Sequence, residues 1–213
     1  MLLLSLLSLL AIQLLGVMLP GPDFFMVLRS SLKYGRKKAS IVALGIATGV
    51  FIYAGIVVIL LDYLSDTFLN LVHWISLFGG LYLLHIAYRC YQSSKGKHTL
   101  DEPSETTINI QRKNLYFNGL FCNLSNPKVI VFFLSILPIF ILKSGSIFYH
   151  LAIIGIMGIS TLIWFSFVAY VMGSNKVRNT FVRYMNILEI LFSFILIMFA
   201  CFLFYEFLNY FIA

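Results

Sequence analysis

The sequence feature that most constrains the fold is an interruption near the N-terminus, Leu19-Pro20-Gly21-Pro22-Asp23. It divides an apolar run from Leu2 to Leu28 whose only acidic residue is Asp23. A bilayer needs about 20 apolar residues, so the run is longer than one span requires. Proline removes a backbone donor and clashes with the preceding helical turn. We therefore predict a broken first span, with a carboxylate beside the break that needs a partner, because a charge near mid-membrane costs about 2.5–3.5 kcal/mol.

Composition places the chain in a membrane. Of its 213 residues, 61% are hydrophobic and 11% are charged, which is more apolar surface than a soluble domain of this size can bury. The net charge is +7, and the basic residues are distributed as in the loops of a membrane protein. We therefore predict no nucleic-acid partner. The N-terminus lacks the basic segment and cleavage pattern of a signal peptide, and we treat it as the first span.

Hydropathy divides the chain into six spans. They cover about residues 2–32, 41–61, 68–91, 115–142, 147–173 and 181–207. We predict an all-α polytopic membrane protein of two three-helix repeats, in which the first and fourth helices are broken. The first repeat would cover residues 1–92, a cytoplasmic loop residues 93–113, and the second repeat residues 114–213.

The basic residues predict the orientation of these spans. Thirteen of the 15 lysines and arginines lie in or beside the first, third and fifth loops. Cytoplasmic loops carry an excess of lysine and arginine. We therefore expect the odd-numbered loops on the cytoplasmic side and both termini outside.

A second break lies in the fourth span, at Asn123-Leu124-Ser125-Asn126-Pro127-Lys128. Shifting the chain by 105 positions lays Pro22 on Pro127 and Asp23 on Lys128. Three spans followed by three insert with opposite orientation, so the halves would form an inverted repeat. Proline-interrupted segments at corresponding positions of two halves point to a transporter binding site near the membrane midplane.

Each break carries one charge with two interpretations. Asp23 is either a capping acid in the first turn of a half-helix or a buried carboxylate that carries a proton or meets a substrate ammonium group. Lys128 opens a half-helix whose macrodipole opposes a cation. It either snorkels to the cytoplasmic interface or faces inward towards Asp23 or a substrate carboxylate. At about 20 Å into its span it lies beyond the reach of snorkelling, so we favour the inward orientation.

Together the two breaks suggest a site for a zwitterion. Free backbone N–H groups at two opposed half-helix starts would bind a carboxylate, and a nearby acid would bind an ammonium group. We hypothesise that Asp23 and Lys128 pair when the site is empty and that a small amino acid replaces this pair. Protonation of Asp23 from outside would then release the substrate.

The same residues resemble the lysine-exporter type (LysE/RhtB) family of amino-acid exporters. LPGPDFFMVLRSSLKYGRKKASIVALGIATGV is similar to the first-span signature of that family, and NLSNPKVIVFFLSILPIF to its fourth-span signature. The resemblance implies a proton-driven, six-helix exporter in the bacterial inner membrane, with amino acids, protons and lipid as its partners and without a cofactor. It assigns the central role to Pro20, Gly21, Pro22 and Asp23, and to Asn126, Pro127 and Lys128. Asn123, in the second break, is a further candidate for substrate binding or coupling.

Other residues and functions remain as alternatives. Glu189 is either a polar partner for Arg183 or Asn186 or a second protonatable site, and His85 is either a packing residue or a proton relay. Gly45-xxx-Gly49 lets another helix approach closely, either within the bundle or across a homodimer.

The alternative function is export of another small polar solute or a metal cation. Cys90, Cys122 and Cys201 have no paired spacing, so we expect no metal site. A membrane enzyme would need a catalytic set that the sequence does not provide, and a passive scaffold gives no reason for two matched breaks.

Overall fold

A computed structural model of the chain describes residues 2–63, 65–96, 111–141 and 146–212. These residues form helices without a strand among them. In chain order the helices are α1 (Leu2–Met18), α2 (Pro22–Tyr34), α3 (Arg36–Tyr63), α4 (Ser65–Ser93), α5 (Arg112–Leu124), α6 (Pro127–Ile141), α7 (Ile147–Val171) and α8 (Asn175–Ile212).

Both breaks lie where the sequence predicts them. Helices α1 and α2 are bent by 60° at the first break, and α5 and α6 by 57° at the second. Each bent pair has the length and composition of one membrane span. The helices α2 and α6 begin at Pro22 and Pro127, because proline has no N–H to lose at the first helical position. Asn126 and Pro20 lie in the short connections.

The spans agree in part with the expected six. Helices α3 and α7 and residues 183–209 of α8 are long and apolar enough to cross a membrane, which gives up to five spans with the two bent pairs. The expected third span corresponds to α4, a continuous helix of 29 residues that does not meet the same criterion within the described residues. Helix α8 extends beyond its predicted span at both ends, since hydropathy follows apolar residues and a helix continues into its polar flanks.

Helix α3 holds the bundle together. It packs against α2, α5, α6 and α7, while α4 packs mainly against α8 and α6. A Cβ on Gly45 of α3 would meet the backbone carbonyl of Tyr116 in α5, and a Cβ on Gly119 of α5 would meet that of Val42 in α3. The two helix backbones therefore touch. The small-residue face at Gly45 is used for packing within the chain.

Candidate functional site

The two breaks come together across the bundle. Asp23 lies in the first turn of α2, and Asn123 in the last turn of α5. The amide Nδ2 of Asn123 donates a hydrogen bond of 2.8 Å to Oδ2 of Asp23. Both side chains are buried, with 1% and 6% of their surface exposed. The carboxylate in the first broken span is thus held by the second broken span, 100 residues away.

Glycine 49 makes room for this contact. A Cβ on Gly49 of α3 would collide with Oδ1 of Asn123. The absence of a side chain at this position lets the Asn123 amide lie against α3 with Nδ2 directed at Asp23. The sequence analysis interprets Gly49 as part of a helix-packing motif. In the structure, Gly49 also faces the side chain of Asn123.

Lys128 is bound by the end of α1. Its ammonium Nζ donates to the carbonyl oxygens of Leu19 at 3.0 Å and Gly16 at 3.3 Å. The last carbonyl groups of a helix have no partner inside the helix, and the negative end of the macrodipole favours a cation there. The charge that opposes its own helix α6 is therefore offset by the C-terminal end of α1.

Asp23 and Lys128 line the same cavity, but they are not bonded to each other within the described part of the chain. Each is hydrogen-bonded to the opposite broken span instead. The structure thus differs from a direct pair between the two charges. The reason is local: the Asn123 side chain binds Asp23, and the carbonyl groups at the end of α1 bind Lys128.

The two half-helix starts also differ from the expected pair of open anion sites. The side chain of Asn126 accepts a hydrogen bond of 3.1 Å from the Lys128 N–H, as an N-cap residue does. The N–H of Val129 bonds to the Asn126 carbonyl at 3.0 Å. Helix α2 begins after Gly21, whose side chain cannot cap it. At α6 the first N–H groups are therefore occupied, and the ammonium of Lys128 is the group able to meet an anion.

A cavity lies between the broken spans, α3, α4, α7 and α8. It contains about 590 Å³ of empty space, counting its open side. Its polar lining consists of Asp23, Lys128, Asn123, Gln13 and Thr161, and the rest of the wall is mostly aliphatic and aromatic. Clefts with mostly apolar walls and a few convergent polar groups are typical of small-ligand sites.

Three buried polar atoms at the breaks have no hydrogen-bond partner among the described residues. They are Oδ1 of Asp23, Oδ1 of Asn123 and Nδ2 of Asn126. Buried polar groups in proteins are nearly always bonded. Asp23 and Asn123 also line the cavity, so their two free acceptors are available to groups that enter it.

Glu189 and His85 lie outside this cavity lining. Glu189 is 4% exposed, and its Oε1 accepts a hydrogen bond of 2.8 Å from Ser93 Oγ, which joins α8 to α4. His85 is exposed on α4, with its ring 6.3 Å from that of Tyr82. In the described part of the chain, no three His, Cys, Asp or Glu side chains come together as a metal site would require.

Sequence reasoning missed Gln13, Thr161 and Tyr53. Gln13 is the one amide in the apolar α1, a signal that could have been used. Nothing in the sequence of α7 distinguishes Thr161 from the other polar residues of that helix. Tyr53 of α3 donates a hydrogen bond of 2.6 Å to the Leu124 carbonyl at the end of α5, a contact that depends on the tertiary fold.

Comparisons with known proteins bear on this arrangement. Residues 14–207 match the family described as LysE type translocator. Over 172 residues, which cover 81% of this chain and 84% of each relative, the chain is 29% identical to the threonine efflux protein of Escherichia coli (strain K12) and 30% identical to that of Salmonella typhi. It is 27% identical over 205 residues to an uncharacterized membrane protein of Haemophilus influenzae, covering 95% of this chain and 97% of that protein. No solved structure matches the chain. The family match spans both breaks and confirms the resemblance drawn from their motifs.

Proposed function

We propose that this chain, which belongs to the LysE type translocator family, exports small amino acids across the bacterial inner membrane. The names of its threonine efflux relatives support export of an amino acid. The observation that carries the proposal is a cavity lined by one carboxylate and one ammonium group, with unpartnered polar atoms at both breaks. A zwitterion offers the complementary charges and donors.

The ammonium group of the substrate would bind at Asp23. The free Oδ1 atoms of Asp23 and Asn123 are acceptors, and an ammonium group has three N–H donors to share between them. Charge-assisted hydrogen bonds of this kind are stronger than neutral ones. Asp23 therefore serves as the anionic half of the binding site.

The carboxylate of the substrate would bind at Lys128. The Lys128 ammonium donates to the carbonyl oxygens of Gly16 and Leu19. A substrate carboxylate is a stronger acceptor than these neutral oxygens. The substrate thus replaces contacts that already exist, so neither buried charge loses its partner at any stage.

Reciprocal contacts support two inverted repeats. Asp23 meets the end of α5, and Lys128 meets the end of α1, as a two-fold relation between the halves requires. The contacts of α3 with α5 and of α1 with α7 correspond in the same way, as do those of α3 with α6 and of α2 with α7. The contacts of α2 with α3 and of α4 with α6 have no counterpart of similar extent in the described residues.

Proton coupling would act through Asp23. Protonation removes the charge that holds the substrate ammonium group, so a proton arriving from outside would favour release on that side. The orientation with both termini outside follows from the basic loops. Alternating access of the cavity to the two sides completes the cycle.

The proposal is tested by efflux from cells loaded with threonine, comparing Asp23→Asn and Lys128→Gln with the original chain at equal expression. We expect both variants to lose gradient-dependent efflux. Lys33→Gln is the matched control, because this lysine is exposed at the end of α2, and it should export normally. Normal efflux by both Asp23→Asn and Lys128→Gln would refute the proposed site, and no efflux of any amino acid by the original chain would refute the function.

A further inference from the structure

The cavity has a second polar region that the zwitterion does not use. Gln13 of α1 and Thr161 of α7 lie in its wall and are 2% and 1% exposed. Nε2 of Gln13 donates to Oγ1 of Thr161 at 2.9 Å and approaches the Met157 carbonyl at 3.4 Å. Oγ1 of Thr161 donates to the same carbonyl at 2.8 Å. An amide is therefore fixed in the wall of an otherwise apolar part of the cavity.

This network decides which end of the Gln13 amide is available. The Met157 carbonyl accepts hydrogen bonds, so it requires donors around it. A reversed amide would place Oε1 against that carbonyl, which is one acceptor against another. Nε2 is consequently held by Thr161 and Met157, and Oε1 accepts no hydrogen bond from a described residue. Gln13 lines the cavity, so Oε1 can accept a hydrogen bond from a donor that enters it.

The position of Gln13 relative to the charged groups suits a substrate side chain. Gln13 lies three residues before Gly16 on α1, about 4.5 Å of rise, and the Gly16 carbonyl contacts the Lys128 ammonium. A hydroxyl group two bonds from the α-carbon, together with a hydrogen bond of about 2.8 Å, bridges a gap of this order. The wall around it carries Phe132, Phe133, Phe165 and Phe199, against which a methyl group can pack.

We infer that Gln13, held by Thr161, selects amino acids with a short hydroxylated side chain by accepting the hydrogen bond of that hydroxyl group at Oε1. The inference rests on the proposed function, because it assigns the side-chain part of the same site. A site with a buried polar group discriminates strongly against an analogue that leaves this group unpaired. Thr161 acts as the positioning residue, since it orients the amide.

Threonine and valine test the inference, because they have nearly the same shape and differ by a hydroxyl in place of a methyl group. The readout is the ratio of their initial efflux rates from loaded cells. The original chain should export threonine faster. Gln13→Met keeps the length of the side chain and removes the acceptor, so the threonine-to-valine ratio should fall roughly tenfold or more while valine is still exported.

Two further variants separate selection from folding. Gln13→Asn keeps the amide but withdraws its oxygen by one methylene group, so we expect preference to move from threonine towards homoserine, whose hydroxyl reaches further. Thr161→Ser keeps the hydroxyl and should keep the original ratio. The inference would be overturned if Gln13→Met lost threonine and valine export equally and Gln13→Asn kept the original preference. Export by the original chain would still support the proposed function in that case.

Discussion

The two breaks occupy matching places in the sequence, but the charged residue at each break is stabilised in a different way. At the first break the carboxylate of Asp23 suits the start of its own helix, and one amide from Asn123 suffices to hold it. At the second break Lys128 opposes its own helix, and two carbonyl groups from the end of α1 offset it. The comparison teaches that the partner of each charge comes from the other half of the chain. Neither half is electrostatically complete alone.

The helix ends that precede the breaks differ as well. The end of α1 is bonded to a cation, whereas the Leu124 carbonyl at the end of α5 is bonded to the neutral phenol of Tyr53. A substrate can compete for a cation more readily than for a phenol. The first helix end is therefore the one that exchanges partners during transport in our scheme, and the second is the fixed one.

Removing the charge at each break should have unequal effects on stability. Lys128→Met leaves two carbonyl acceptors unpaired at about 1–3 kcal/mol each, so we expect the melting temperature to fall by at least about 4 °C. Asp23→Asn keeps an acceptor for Asn123, and we expect a shift within about 2 °C. Thermal unfolding of the purified protein in detergent measures both, with Lys33→Met as the control for loss of an exposed cation. Equal shifts in the two variants would show that the breaks are equivalent.

The contact that holds Asp23 can be broken from α3. Gly49→Ala places a methyl group against Asn123, so we expect about a fivefold loss of threonine efflux, which corresponds to about 1 kcal/mol. Gly55 on the same helix has open space around it, and Gly55→Ala should export normally. In an Asn123→Ala background the collision with the amide group is gone and only the contact with the Cβ at position 123, at 3.1 Å, remains, so the additional effect of Gly49→Ala should be much smaller. An undiminished effect there would mean that Gly49 acts by another route.

We expect the Asn126 side chain to stabilise the protein by capping α6, in a way that another hydrogen-bond acceptor could replace. Asn126→Ala removes the acceptor for the Lys128 N–H, which costs about 1 kcal/mol for an N-cap residue. We expect the melting temperature to fall by about 2–4 °C. Asn126→Ser should retain most of the stability, since serine also caps helices. Serine and alanine variants of equal stability would contradict the capping role.

The smallest effect is expected at the fixed helix end. Tyr53→Phe removes the hydrogen bond to Leu124, which contributes about 0.5–1.5 kcal/mol, so we expect a melting temperature lower by about 1–4 °C and nearly normal efflux. Tyr205 is exposed on α8, and Tyr205→Phe should change neither quantity. A large loss of efflux in Tyr53→Phe would show that the end of α5 also exchanges partners.

The sequence predicted the breaks and their charges because both signals are local. Proline ends a helix wherever it stands, and a charge in an apolar run needs no tertiary information to be noticed. The partners could not be predicted in the same way. Asp23 is joined to Asn123 across 100 positions and Gln13 to Thr161 across 148, and nothing in either local sequence specifies these pairs.

Two glycines of α3 also show that the role of a residue depends on tertiary packing. Gly49 and Gly55 are six residues apart in α3, and by composition they are the same. One faces the Asn123 side chain and the other faces open space. Which glycine bears on the site follows from the direction in which it points, and that direction is set by the packing of α3 against α5.

The backbone contact between α3 and α5 has a mechanical consequence. Gly45 and Gly119 bring a helix of the first half against one of the second, closely enough that neither can slide without a collision of main-chain atoms. Any large motion must carry α3 and α5 as one piece. We therefore expect any rigid-body movement during transport to keep α3 and α5 together, although they belong to different halves of the sequence.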